Sequence, residues 1–167
     1  MSHAADPLDH APSAPPGPVL WLLRHGQADH PPGLDDAARP LTKKGEQQAR
    51  AAGAALRAHA PAPAVVIASP RVRARRTAEL AVAAHGAAPE PVVFDEIGGD
   101  YSLPELLALL SPWTEGDARV DVVVVGHNPT LAWLVHQLTR DDRGLSTGTL
   151  VGIDLVGRRL LHHLRPA

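Results

Sequence analysis

Val19-Leu20-Trp21-Leu22-Leu23-Arg24-His25-Gly26 runs five apolar residues straight into a cation, an imidazole and a glycine. A short apolar run of this kind, with no polar alternation, is the pattern of a strand buried on both faces of a parallel sheet. Such a strand delivers the residues that follow it to the C-terminal edge of the sheet, where open α/β sheets bind their ligands. Two further runs repeat the pattern. Val65-Val66-Ile67-Ala68 leads into Ser69-Pro70-Arg71-Val72-Arg73-Ala74, and Val122-Val123-Val124-Val125 leads into Gly126-His127-Asn128-Pro129. Three strand tips therefore carry Arg-His-Gly, Ser-Pro-x-x-Arg-Ala and Gly-His-Asn-Pro.

Helical patterns fill the intervals. Thr42 is a candidate N-cap for a helix reaching His59, although Gly45 stands where a capping-box acid is expected and Glu46 comes one later. A second helix is expected from Arg71 to just before Gly86. Ser102 and Glu105 mark the start of a short helix over Leu103–Ser111. Asn128 is expected to cap a helix with Pro129 at its first position, ending near Thr139. Val92–Phe94 reads as a weak strand, Val120–Val125 as a strong one, and Thr149–Val156 with Arg159–Leu164 as an edge hairpin turning at Gly157. The segment from Gln27 to Leu41 reads as a polar, proline-containing loop on an extended path. Alternating strands and helices give an α/β fold: a three-layer sandwich, with a mostly parallel central sheet flanked by helices.

The chain has 167 residues, the size of one ordinary domain. With three Trp, one Tyr and one Phe, the core must be built mainly of Val, Leu and Ala. There is no cysteine, which excludes disulfides, thiolate metal sites and a cysteine nucleophile, and fits a cytoplasmic protein. The formal net charge of -2 carries no nucleic-acid footprint. Residues 1–17 lack the charged and apolar regions of a signal peptide and read as a disordered tail, leaving 18–167 as a single domain. No apolar run has the ~20 residues of a membrane helix. The remaining histidines show no metal-ligand spacing, and neither a metal nor another cofactor is expected.

The three tips, in this order and context, resemble those of the histidine phosphatase superfamily, over roughly Val19–Leu155. The stretch Arg39-Pro40-Leu41-Thr42, with the glycine that follows, is similar to one in the short bacterial protein-phosphohistidine phosphatases. The resemblance implies a phosphoglycerate mutase-like fold and a site assembled from the tips. It implies that His25 becomes transiently phosphorylated, that Arg24 and Arg73 bind phosphate, and that His127 contacts the transferred phosphoryl group. These residue types suit the chemistry. Phosphoryl transfer needs positioning and positive charge around the equatorial oxygens, together with an in-line nucleophile. A guanidinium fork matches phosphate oxygens bidentately. A neutral imidazole is an available nucleophile near neutral pH, and a protonated His127 would stabilise transition-state charge. Glu96 is the positional candidate for a proton donor, with Asp95 second. Arg39 and Gln27 are further candidates for lining the site.

The expected activity is hydrolysis of phosphohistidine on a protein through phospho-His25. A small-molecule phosphomonoesterase and a non-catalytic phosphoryl-binding module are the other readings. The partner is accordingly a phosphorylated protein or a small phosphate ester, with no nucleic acid and no membrane. A leaving imidazole, with a pKa of ~6.5, demands less of a general acid than an alkoxide does. The short chain leaves little room for a helical lid, so the site is expected to be shallow and open.

Overall fold

The computed structural model describes residues 17–116 and 118–166. The proposed tail lies outside them except for Gly17, which is buried. Its strands are β1 (Val19–Arg24), β2 (Val65–Ala68), β3 (Val92–Val93), β4 (Asp121–Gly126), β5 (Leu150–Asp154) and β6 (Arg159–Leu164). Its helices are α1 (Lys43–His59), α2 (Val72–His85), α3 (Leu103–Thr114) and α4 (Thr130–Thr139). Among the described residues the strands form one sheet in the order β3-β2-β4-β1-β5-β6. The β3-β2, β2-β4 and β4-β1 pairs are parallel, and β1-β5 and β5-β6 are antiparallel. The expected α/β sandwich is therefore present, on a mixed, mostly parallel sheet.

The unbroken apolar runs are explained by burial on both faces. Leu20, Leu22, Val122 and Val124 join one core layer with Leu106 and Leu110 of α3 and Leu131 and Leu134 of α4. Trp21, Leu23, Val123 and Val125 join the other layer with Ala52 and Leu56 of α1 and Ala74, Ala78 and Ala81 of α2. Helices α1 and α2 approach closely because they present alanine and glycine to each other; a Cβ on Gly53 would collide with the Ala81 carbonyl. The neighbouring strands β1 and β4 thus lead into helices on opposite faces of the sheet. This opens a crevice at their C-terminal ends, the place where such sheets bind ligands.

Several boundaries differ from the sequence expectation for local reasons. Helix α3 continues through Pro112 to Thr114. The Ser111 hydroxyl donates to the Ala108 carbonyl at 2.9 Å, supplying the bond that proline cannot make. Strand β5 stops at Asp154, whose carboxylate accepts the Val156 N–H at 3.0 Å and bends the chain early. Helix α4 begins at Thr130, while the Asn128 side chain still accepts the Ala132 N–H at 3.3 Å. The loop after β1 is not extended. Ala28 and Leu41 form an antiparallel bridge, and Asp36–Ala38 make a single 3-10 turn. That turn is held from outside the loop by arginines of the site described below.

Gly45, the apparent flaw in the first helix cap, has a packing reason. Thr42 Oγ1 accepts its N–H at 3.0 Å, and a Cβ there would strike the Gln27 carbonyl. Gly26 faces the same contact from the other side, since its Cβ would overlap the backbone of Gly45. Backbone presses on backbone at this crossing, so no flexible side chain can yield. Gly26→Ala is expected to cost about 1–3 kcal/mol of stability, the range for overpacking; a thermal midpoint unchanged from wild type would refute this.

No helix of the described residues is long and apolar enough to cross a membrane.

Candidate active site

The tips of β1, β2 and β4 bring Arg24, His25, Arg73 and His127 to one cavity of about 300 Å³, which Gln27, Arg39, Arg71 and Asn128 also line. His25 is nearly closed off, with 8% of its surface exposed. Its Nδ1 lies 2.7 Å from the Gly26 carbonyl. A carbonyl only accepts, so Nδ1 carries the proton and Nε2 keeps its lone pair. Burial, together with the nearby charges of Arg73, Arg24 and Arg39, pushes the His25 pKa down to about 4; the Gly26 bond opposes them. The ring is thus a free base at neutral pH.

Gly26 fixes this turn to α2. Its N–H donates to Thr77 Oγ1 at 3.1 Å, and the Thr77 hydroxyl donates to the Arg73 carbonyl at 2.7 Å. Thr77, four residues after Arg73 in the sequence pattern, therefore couples the histidine turn to the helix that carries the arginine.

Arg24 donates to the Leu145 carbonyl at 2.8 Å, and Asn128 Nδ2 donates to the same oxygen at 2.8 Å. One carbonyl in the segment before β5 thereby ties the tips of β1 and β4 together. Gln27 lies at the cavity edge, where its side-chain oxygen accepts the Thr42 hydroxyl at 2.9 Å. Arg39 also lines the cavity, held by the Asp29 carbonyl at 2.9 Å.

Asp36 organises the cations. Arg73, near the start of α2, donates to its carbonyl at 2.7 Å and to its carboxylate at 3.1 Å. Arg71 and Arg39 each reach the same carboxylate at 3.3 Å. The bond from Arg73 holds the Asp36 carboxyl below the usual range. Nothing in the local sequence marks Asp36 for this; its three partners lie on two separate segments, one of them more than thirty residues away. Ser69 was likewise legible only as part of a motif. It is fully buried, and its hydroxyl oxygen sits 2.7 Å from His127 Nε2.

The His25 and His127 rings stand 5.1 Å apart between centroids, tilted by 55°. Burial, the His25 ring and the charges of Arg73 and Arg71 push the His127 pKa down to about 3. Burial and cationic neighbours therefore disfavour the proton on His127 that the sequence reading assigned to the transition state. An incoming phosphoryl dianion would reverse the local charge and favour the proton.

Glu96 is not brought to the cavity. It is exposed on a 3-10 turn, Asp95–Ile97, and does not line the pocket; Asp95 is exposed on the same turn. A smaller groove adjoins the cavity instead, and its acidic residue is Asp100. Among the described residues, the buried side-chain atoms without a hydrogen-bond partner are Arg24 Nε, Arg73 Nε, His127 Nδ1 and Tyr101 Oη. Three of these four belong to the cavity-lining set. Buried polar atoms are rarely left unpaired, so their concentration here marks a site built for a polar ligand.

The family model for histidine phosphatase superfamily branch 1 matches residues 20–97. An uncharacterised protein of Picosynechococcus sp. is 37% identical over 113 residues, 67% of each chain. The chain belongs to the histidine phosphatase superfamily. Solved structures agree. A protein from Nakamurella multipartitia, provisionally described as the phosphohistidine phosphatase SixA, superposes with a TM-score of 0.72 at 30% identity, covering 90% of this chain and 97% of that one. The protein histidine phosphatase SixA in complex with tungstate superposes with a TM-score of 0.73 at 25% identity, covering 89% and 97%. The curated relatives are matched over only about two thirds of their length. Membership of this superfamily and these neighbours support a phosphatase.

Proposed function

We propose that this histidine phosphatase removes phosphate from phosphohistidine on a protein substrate, through a covalent phospho-His25. The observation that carries the reading is the state of His25: a buried, unprotonated imidazole with Nε2 free, in a cavity walled by Arg24, Arg39, Arg71 and Arg73. Arg24 and Arg73 hold the phosphoryl oxygens, with Arg39 at the rim. The Nε2 lone pair attacks phosphorus as the P–N bond to the substrate imidazole breaks, its electron pair passing to the leaving nitrogen. Water then attacks phospho-His25, returning free His25 and inorganic phosphate. His127, braced by Ser69, faces the reacting group and stabilises its charge as the dianion raises its proton affinity.

Two further observations bear on the substrate. A structural neighbour, the protein histidine phosphatase SixA, was solved in complex with tungstate, a tetrahedral oxyanion like phosphate. In this chain α3 packs Leu103, Leu106 and Leu110 into the core layer it shares with α4, and none of its residues lines the cavity. A side chain presented by a folded protein can enter a site of that kind, whereas a small ester gains little enclosure from it.

Phosphate release from a purified phosphohistidine-bearing protein tests the reading. Turnover by the wild type supports it. Turnover of small phosphate esters alone would replace it with a phosphomonoesterase, and binding without any turnover would replace it with a phosphoryl-binding module.

A further inference from the structure

Beside the His25 cavity lies a second, smaller groove of about 120 Å³, and the two share Arg71, His127 and Asn128. Its remaining walls are Gly98, Gly99, Asp100 and Thr130. At ~30 Å³ per water, the space equals about four waters, the scale of one small ring. A Cβ on Gly98 would press on Pro70, whereas one on Gly99 would meet nothing within 4 Å. The one carboxylate in its wall is oriented. Asp100 Oδ1 accepts the hydroxyl of Thr130 at 3.0 Å, and Thr130 is buried at the first turn of α4. Asp100 itself is exposed, and its second oxygen is engaged by no described side chain. The flanking charged or titratable groups are Arg71 and His127.

We propose that this groove is the leaving-group subsite, and that Asp100 accepts a hydrogen bond from the far ring nitrogen of the substrate phosphohistidine. The inference rests on the phosphohistidine reading above. A phosphoryl group held among Arg24, His25 and Arg73 lets the rest of the substrate extend past His127 into this groove. In phosphohistidine one ring nitrogen bears phosphorus and the other a lone pair. When that second nitrogen is protonated, the P–N electron pair can pass to the ring and the imidazole leaves neutral, already holding its N–H. A carboxylate placed at that nitrogen stabilises the protonated ring, with no proton transfer needed at the moment of cleavage. Asp100 thus supplies what an acid on the ester oxygen supplies elsewhere, but at the opposite nitrogen of the ring. It selects phosphoramidates of imidazole over phosphate esters, which have no second nitrogen to protonate.

The test compares wild type, Asp100→Asn and Asp100→Ala on a phosphohistidine protein and on p-nitrophenyl phosphate, whose leaving group departs without a proton. Both variants should lose about ten- to hundredfold in kcat/KM on phosphohistidine, the worth of one hydrogen bond to a charged group. The ratio of kcat/KM on phosphohistidine to that on the nitrophenyl ester should fall by about tenfold or more, since the ester offers no ring nitrogen to the carboxylate. The deficit should also shrink as pH falls below ~6.5, where the imidazole ring takes its proton from solvent unaided. A purely structural role through Thr130 would lower both substrates alike with no such pH dependence, and would overturn the proposal. So would an unaltered phosphohistidine rate in Asp100→Asn beside an active wild type, which leaves the phosphohistidine reading standing. A wild type that cleaves the nitrophenyl ester but not the phosphohistidine protein would overturn that reading and this inference together.

Discussion

His25→Ala is expected to abolish turnover, with a loss of about 10⁴-fold or more. The reason is that nothing else in the cavity can replace it. The chain has no cysteine. Among the cavity-lining groups, His127 is the other imidazole, and its Nε2 is occupied by Ser69. The variant retains Arg24 on the Leu145 carbonyl, and Arg39, Arg71 and Arg73 with their tie to Asp36, so it should still bind phosphate or tungstate. Loss of turnover with retained oxyanion binding separates a missing nucleophile from a collapsed site. A radiolabelled phosphoryl group should be trapped on wild type as an acid-labile adduct and be absent from the variant. Turnover by His25→Ala within tenfold of wild type would rule out the covalent route.

Acid should destabilise the protein through the same pair of histidines. The folded pKa of His25 lies at about 4 and that of His127 at about 3, both below the ~6.5 of the unfolded chain. Between those limits the unfolded state binds more protons, so stability is full above pH ~6.5 and falls as pH drops toward 4. At about 1.4 kcal/mol per pH unit and group, each histidine accounts for on the order of 3 kcal/mol by pH 4. That is a large share of the 5–15 kcal/mol typical of a domain. Thermal midpoints measured from pH 7 to pH 4.5 should fall steeply in wild type and less steeply in His25→Gln, which removes one of the two titrations. Parallel curves for the two proteins would show that the His25 pKa is not depressed in the folded state.

Both effects arise from one design. His25, the proposed nucleophile, is kept a free base by burial and by the arginines proposed to hold the phosphate. A cation cluster suited to a phosphoryl group thus also disfavours protonation of the imidazole beside it. Asp36 tempers this by neutralising part of the charge and pinning Arg73, which is itself nearly buried.

Much of this was legible in the chain because it is local. Apolar runs such as Val19–Leu23 and Val122–Val125 read as strands buried on both faces, and each is followed at once by the residue it delivers. His25, Arg24, Arg73 and His127 could be named from those tips, since a parallel strand carries its next residues to one edge of the sheet whatever lies around it. Gly86, as the left-handed residue ending α2, was equally readable. What only the tertiary structure decided depends on groups far apart in sequence. The grip of Asp36 on Arg73 spans 37 residues, Ser69 against His127 spans 58, and the Leu145 carbonyl binding Arg24 spans 121. The placement of acids around the cavity is of the same kind. By position Glu96 was the candidate and Asp95 the second, and nothing local marked Asp100. A 3-10 turn leaves Glu96 and Asp95 exposed away from the cavity, and a hydroxyl on α4 holds Asp100 at the groove beside His127. Sequence order determined which side chains reach the sheet edge, because strand geometry is a local property; their partners, protonation and pairing were set by packing, because those energies depend on distance through space.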